Sequence, residues 1–352
     1  MTQTLTLRKP DDWHVHLRDE DSLQHTVPAT AQYFQRALVM PNLKPALTTV
    51  SSILSYRERI LAACPNQNFT PYMTLYLNEE VTPDTLFNAA QHDFIVGAKL
   101  YPAGVTTNAE QGARSIQALY PCFDIMQKQS LVLQIHGECL DGDIFEREAL
   151  FIRNNLTQII KDFPKLRIVL EHISTRTAVD FVLESHAELS ATITPHHLLY
   201  NRNQLLADGL KPHYYCLPIL KRAEDQAALI QAAVSGNPKF FAGTDSAPHA
   251  ITAKENACGC AGIYSAPFAI ALYAHVFEQQ QQLDRLDDFL SRFGADFYQK
   301  PHNTELITLK RTAQKVPLTL PFGPANVVPI AAGETLSCRI ALFVFQFCYW
   351  WT

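Results

Sequence analysis

The chain lacks the cysteine spacings that build small metal-bound modules. Its eight cysteines contain no CxxC pair, and the one close pair, Cys258-Gly-Cys260, lacks the usual spacing of a zinc knuckle. A secretory leader is also missing from the start, because MTQTLTLRKPDD is polar. The thiols are therefore read as reduced and the protein as cytoplasmic. There is no basic excess: the net charge of −5 gives no reason to expect a nucleic-acid partner. Low-complexity linkers and internal repeats of 20–50 residues are absent. No GxGxxG follows the first apolar run, which leaves a doubly wound dinucleotide-binding sheet without support. The end, from Ile340 to Thr352, is apolar and aromatic but too short for the ~20 residues that span a membrane. Three readings of that tail stand: packing on the main body, burial in a dimer interface, or a frame change near the end of the gene.

What is present is a recurring pattern. A short apolar run ends in polar residues, and a longer stretch of helical periodicity follows. The runs are DWHVHL (12–17), ALVMPN (37–42), YMTLYL (72–77), GAKLYP (97–102), LVLQIHGE (131–138), LRIVLEHI (166–173), ATITPHH (191–197) and KFFAGTD (239–245). Amphipathic segments such as SILSYRERILAA (52–63) and IQALYPCFDIMQKQ (116–129) separate them. Eight strands alternating with helices predict a parallel sheet closed as a (β/α)₈ TIM barrel. Residues 1–335 read as a single barrel domain and 336–352 as an atypical apolar tail.

The polar residues at the ends of these runs carry chemistry. In DWHVHLRD, His14, His16 and Arg18 are spaced two apart, so a strand would aim them to one side. Lys99, His136, His172 and Asp245 end other runs. Singly, each reads as an ordinary rim residue; together, barrel closure would aim His14, His16, Lys99, His136, His172 and Asp245 at one axial point. Six unpaired polar groups converging there would be costly. Divalent cations resolve the cost, since imidazole and carboxylate ligate Zn²⁺ well. Lys99 fits such a centre only as a neutral amine, or as the carbamate formed with CO₂, an anion able to bridge two ions.

With HVH, a lysine, two further histidines and a final aspartate, the sequence resembles the binuclear amidohydrolases. WHVHLRD, VMPNLKP, AKLYPAGVTTN, HGE, EHI, TITPHHL, YCLPILKR, GTDSAPH and CGCAG, between about residue 8 and the GET at 333–335, resemble the bacterial class II dihydroorotases. The sequence departs from that pattern at His196, where glutamine is expected, and in the apolar tail. The resemblance implies two divalent ions, Zn²⁺ by expectation. His14, His16 and Asp245 would hold the first, His136 and His172 the second, with carbamylated Lys99 and a hydroxide bridging. It further implies Arg18, Asn42 and His249 on the substrate α-carboxylate, backbone groups of Leu217 and Ala261 on the ring amide, and Thr106 and Thr107 on a lid loop. The implied reaction is reversible cyclisation of N-carbamoyl-L-aspartate to L-dihydroorotate in pyrimidine biosynthesis, with Asp245 as proton shuttle. The implied assembly is a homodimer, away from membranes. The rival readings are a hydantoinase or allantoinase, which would not need Arg18, Asn42 and His249 around a free carboxylate, and a non-catalytic barrel scaffold.

Overall fold

The computed structural model describes residues 4–65, 68–257 and 259–341. Eight parallel strands follow one another around a barrel in chain order. They are β1 (Asp11–Val15), β2 (Arg36–Val39), β3 (Thr70–Leu77), β4 (Ile95–Leu100), β5 (Val132–Ile135), β6 (Ile168–Leu170), β7 (Leu189–Ile193) and β8 (Phe240–Ala242). Nearly every strand residue is buried, as expected when helices cover one face and the barrel interior the other. Between strands lie helices such as Val50–Ala62, Pro83–Ala89 and Arg176–Glu184, each started by a threonine hydroxyl: Thr49, Thr82 and Thr175.

The seam between β8 and β1 is closed just beyond the strand ends. Val15 bridges Ser246, the Asp245 amide donates to His14 O at 2.8 Å, and the His16 amide donates to Ser246 O at 3.0 Å. Closure therefore sets the first histidine pair beside the last aspartate, 231 residues downstream of His14.

The interior is layered. Trp13, Leu38, Val96, Val132, Val169 and Phe241 form an apolar cluster with Phe293, Ala295 and Tyr298, and Trp13 stacks on Tyr298 at 4.3 Å between ring centroids. Two residues along β5 from Val132, Gln134 accepts from Thr74 Oγ1 at 2.8 Å and donates to the Tyr298 hydroxyl at 3.3 Å. Two residues further stands His136. The period-2 alternation of a strand thus climbs from an apolar plug through a hydrogen-bonded layer to the candidate centre.

Outside the barrel, Thr4–Arg8, Leu306–Lys310 and Arg339–Ala341 form an antiparallel sheet. The rest of the apolar tail, 342–352, lies outside the described residues, as does Cys258 of the close cysteine pair. No helix among the described residues is long and apolar enough to cross a membrane.

The strands are shorter than the apolar runs suggest. β5 ends at Ile135, β6 at Leu170 and β8 at Ala242, so His136, His172 and Asp245 lie on the loops that follow. His196 and His197 belong to a short helix, Pro195–Leu199, rather than to β7. Arg18 is not one step further up β1. That strand stops at Val15, and Arg18 has left-handed backbone geometry, φ 61°.

Candidate metal centre and substrate cavity

The histidine pair converges, although not as a plain strand would have it. A register shift lies between Asp12 and Val15, and only His14 is inside the strand. Even so, His14 Nε2 and His16 Nε2 stand 3.3 Å apart. Asp245 Oδ1 lies 3.4 Å from His14 Nε2 and 3.1 Å from His16 Nε2. Asp245 and His172 both carry positive φ, 45° and 41°. Such strain in a non-glycine residue is held only by its surroundings and gathers at working sites.

Glutamates that the sequence reading passed over orient these rings. Glu171 Oε2 accepts from His14 Nδ1 at 2.9 Å and from Thr192 Oγ1 at 2.6 Å. Glu138 Oε2 accepts from His136 Nε2 at 2.9 Å, with Lys221 Nζ at 3.6 Å from its other oxygen. A carboxylate on one ring nitrogen fixes the tautomer, so His14 Nε2 and His136 Nδ1 keep their lone pairs for a ligand. The available signal was adjacency: each glutamate stands within two residues of a candidate histidine, in HGE and EHI. Burial keeps His14, His16, His136 and His172 neutral, their pKa values pushed below the ordinary range.

Lys99 tests whether the site fits a metal centre. It is fully buried, its Nζ has no hydrogen-bond partner, and the Tyr101 ring lies 5.1 Å away. Burial pulls its pKa down to about 8, against the pull of Glu171 and Asp245 in the opposite direction. A permanent ammonium there would have no hydrogen-bond acceptor, whereas a carbamate facing cations would be paired. His172 Nδ1 is likewise buried without a partner. Imidazoles with oriented lone pairs, a carboxylate and a carbamylatable amine therefore fit the pair of divalent ions that the resemblance implies. Asp245 caps no helix: the next one, Ile251–Lys254, starts at Ala250 without a side-chain cap.

A second trio, His196, His197 and Cys216, also brings ligand-type atoms within 4.8 Å of one another. Two of its three members are already engaged. His197 Nδ1 meets Thr194 Oγ1 at 2.8 Å, its Nε2 meets Pro218 O at 3.0 Å, and the Cys216 thiol donates to that same carbonyl. His196, the departure noted in the sequence, is buried with neither ring nitrogen partnered, and burial holds it neutral.

Above the imidazoles lies a cavity whose walls include Arg18, Asn42, Thr106, Thr107, Leu217 and Ala261 together with His14, His16, His136, His172 and Asp245. Lys99 and His249 stand behind this wall. Arg18 makes no rim pair with Asp19, which binds Arg59 instead. Its Nε donates to Pro248 O and its Nη2 lies 2.9 Å from His249 Nε2. Burial, then the Arg18 charge, pushes His249 down to about 2, so it is a neutral imidazole. Asn42 Nδ2 donates to Thr107 O at 3.3 Å, while its buried Oδ1 is unpartnered. Thr107 Oγ1 accepts from the Ala261 amide at 3.1 Å. The 103–108 loop caps no helix, since the next helical turn starts at Ile116 without a side-chain cap.

Comparison with known proteins places this geometry. The profile of the Amidohydrolase family matches residues 12–346. A dihydroorotase of Teredinibacter turnerae is 54% identical over 343 residues, covering 97% of this chain and 99% of its own. The crystal structure of Saccharomyces cerevisiae dihydroorotase in complex with 5-fluoroorotic acid superposes with a TM-score of 0.88 at 34% identity, covering 97% and 99% of the two chains. An L-hydantoinase from Arthrobacter aurescens shares the fold at TM-score 0.76 but only 18% of its residues. Full-length identity of this order, on a barrel whose mouth gathers imidazoles, a carboxylate and an arginine, makes the chain a member of the amidohydrolase family and, within it, of the dihydroorotases.

Proposed function

We propose that the chain interconverts N-carbamoyl-L-aspartate and L-dihydroorotate at the mouth of the barrel, as a hydrolase acting on a cyclic amide. The observation that carries this reading is the sharing of one cavity by the His14–His16–Asp245 cluster and the Arg18–Asn42 wall. The first is suited to amide chemistry. The second is suited to a free carboxylate, which hydantoin and allantoin do not have.

In this reading His14, His16 and Asp245 would hold one divalent ion and His136 and His172 the other, with Lys99, as its carbamate, as a further ligand. Zn²⁺ suits the donor set. When bound, the pair supplies Lewis-acid polarisation of the amide carbonyl and a lowered pKa for water. The protein's own groups do the rest. Arg18 presents a planar donor fork to the α-carboxylate. Neutral His249 and Asn42 Nδ2 add donors, and backbone groups of Leu217 and Ala261 take the ring amide. Asp245 has Oδ1 facing the two imidazoles; in the hydrolytic direction its carboxylate takes a proton from the attacking water as the C–O bond forms and delivers it to the amide nitrogen as the C–N bond breaks. In the biosynthetic direction the same proton runs back. Thr106 and Thr107 close over the bound ring and exclude water. The reading also places the protein in the cytoplasm as a homodimer, with residues 1–335 as one barrel domain.

The test is metal and CO₂ determination on purified protein, with turnover of dihydroorotate, hydantoin and allantoin measured side by side. Two metals, one carbamate and turnover of dihydroorotate alone are expected. A protein that prefers hydantoin, or that carries no metal and turns over none of the three, overturns the assignment.

A further inference from the structure

Lys254 is a buried cation without an acidic partner among the described residues. It ends the helix Ile251–Lys254, is 3% exposed, and forms no ion pair with a carboxylate of the described residues. Its Nζ donates instead to three main-chain carbonyls: Tyr215 O at 3.0 Å, Cys260 O at 3.0 Å and Gly262 O at 2.6 Å. An ammonium has three hydrogens, so its donor capacity is filled.

The positions of those carbonyls matter. Ala261 lies between two of them, and Leu217 stands two residues past the third. Both line the substrate cavity. The Gly262 amide also donates to Tyr215 O at 3.0 Å, so the 260–262 strap and the 215–217 segment meet at one oxygen. The strap has little room: Gly262 has φ 149°, and a Cβ there would come within 2.4 Å of Ala247 O. Burial pulls the Lys254 pKa down to about 8, a cost that nothing in the reaction scheme explains. Electronic coupling adds to the geometry. The Cys260 carbonyl and the Ala261 N–H belong to the same peptide unit, so a cation on the oxygen polarises the unit and makes the N–H a stronger donor.

We propose that Lys254 is the positioning residue for the ring half of the cavity, setting the spacing of the Leu217 and Ala261 backbone groups and sharpening the Ala261 N–H as a donor. The proposal rests on the reading that those groups take the substrate's ring amide. Lys254 touches neither substrate nor reacting atoms; it acts through the two straps.

The test compares wild type with Lys254→Met, which keeps the stem and removes all three donors. Metal content, kcat and KM for dihydroorotate are measured. So is discrimination against dihydroorotate methylated on a ring nitrogen, taken as a ratio of inhibition constants. We expect unchanged metal content and a loss in kcat/KM approaching the ~10²-fold cost of a misplaced site, carried mainly by KM, with much weaker discrimination. Lys254→Ala provides a second variant. Ethylammonium, which has N–H donors, should restore kcat/KM to it, and tetraethylammonium should not. If Lys254→Met matches wild type in KM and discrimination and merely melts earlier, the lysine is only a structural staple and the proposal fails. If wild type itself ignores ring methylation, the ring reading fails and takes the proposal with it.

Discussion

The Thr107 hydroxyl lies 3.1 Å from the Ala261 amide nitrogen, joining two loops 154 residues apart in the chain. Thr107 therefore occupies the N–H assigned to the substrate ring, and the 103–108 loop stands over the cavity mouth. Gly104 at φ 76° and Asn108 at φ 60° flank the threonines and give the loop its bends. Replacing Thr106 and Thr107 with alanine should lower turnover while both metals stay bound. Limited proteolysis with and without a substrate analogue measures closure: protection of this loop by the analogue is expected, and equal cleavage rates would rule out a lid.

Arg18 is held by Pro248 O and His249 on one side, leaving the rest of its fork toward the cavity. Arg18→Met should leave metal content intact and weaken carboxylate binding by about 2–5 kcal/mol, lowering kcat/KM by orders of magnitude. Steady-state kinetics on the metal-loaded variant decide the point. An unchanged kcat/KM would reduce Arg18 to a rim residue.

Asp245 has two assigned tasks that one substitution separates. Asparagine keeps the shape and offers an oxygen to a metal, but cannot take and return a proton. Asp245→Asn is expected to fold, retain much of its metal and lose the ~10²–10⁴-fold contributed by a general acid–base group. A pH–rate profile with parallel metal analysis checks this; turnover within a few-fold of wild type would remove the shuttle.

Lys99→Ala removes the amine placed to form the carbamate. Lower metal content and loss of turnover are expected, with partial recovery on adding a small carboxylic acid that fills the gap. Two bound metals and near-normal turnover in Lys99→Ala would show that no bridging anion is needed.

Glu148 gives a pH prediction for stability. It accepts from the Ser174 amide and the Thr175 hydroxyl, tying the Arg147–Phe151 helix to the start of Arg176–Glu184. Burial raises its pKa from 4.5 to about 7. A carboxyl with a raised folded-state pKa stabilises the fold fully below its unfolded pKa, and that contribution is lost as pH rises through the folded value. Wild type should therefore lose stability, by about 3 kcal/mol at most from this group, between pH ~4.5 and pH ~7. Glu148→Gln should flatten that slope in denaturant titrations across the same range. An identical slope in the variant would assign the dependence to other groups.

The sequence by itself determined the barrel and most of the candidate cluster. Alternation of buried runs with helical stretches is a local signal, and a parallel sheet of eight such units has few ways to bury both faces. His14, His16, Lys99, His136, His172 and Asp245 were legible because each follows or ends an apolar run, where strand mouths must lie. Only the tertiary structure decided what those side chains face. The β1 bulge and the left-handed turns at Arg18, His172 and Asp245 have no mark in the apolar pattern, and the seam bond from Asp245 N to His14 O joins residues 231 apart in the chain. Glu171 on His14 and Lys254 on the Tyr215 carbonyl have no periodic signature, because a hydrogen bond between distant segments leaves no spacing in the chain; Glu138 stands two residues from His136, but which way its carboxylate turns is set by the fold. Burial also lowers the Lys99 pKa, and burial is a property of the folded surroundings rather than of any neighbour in sequence.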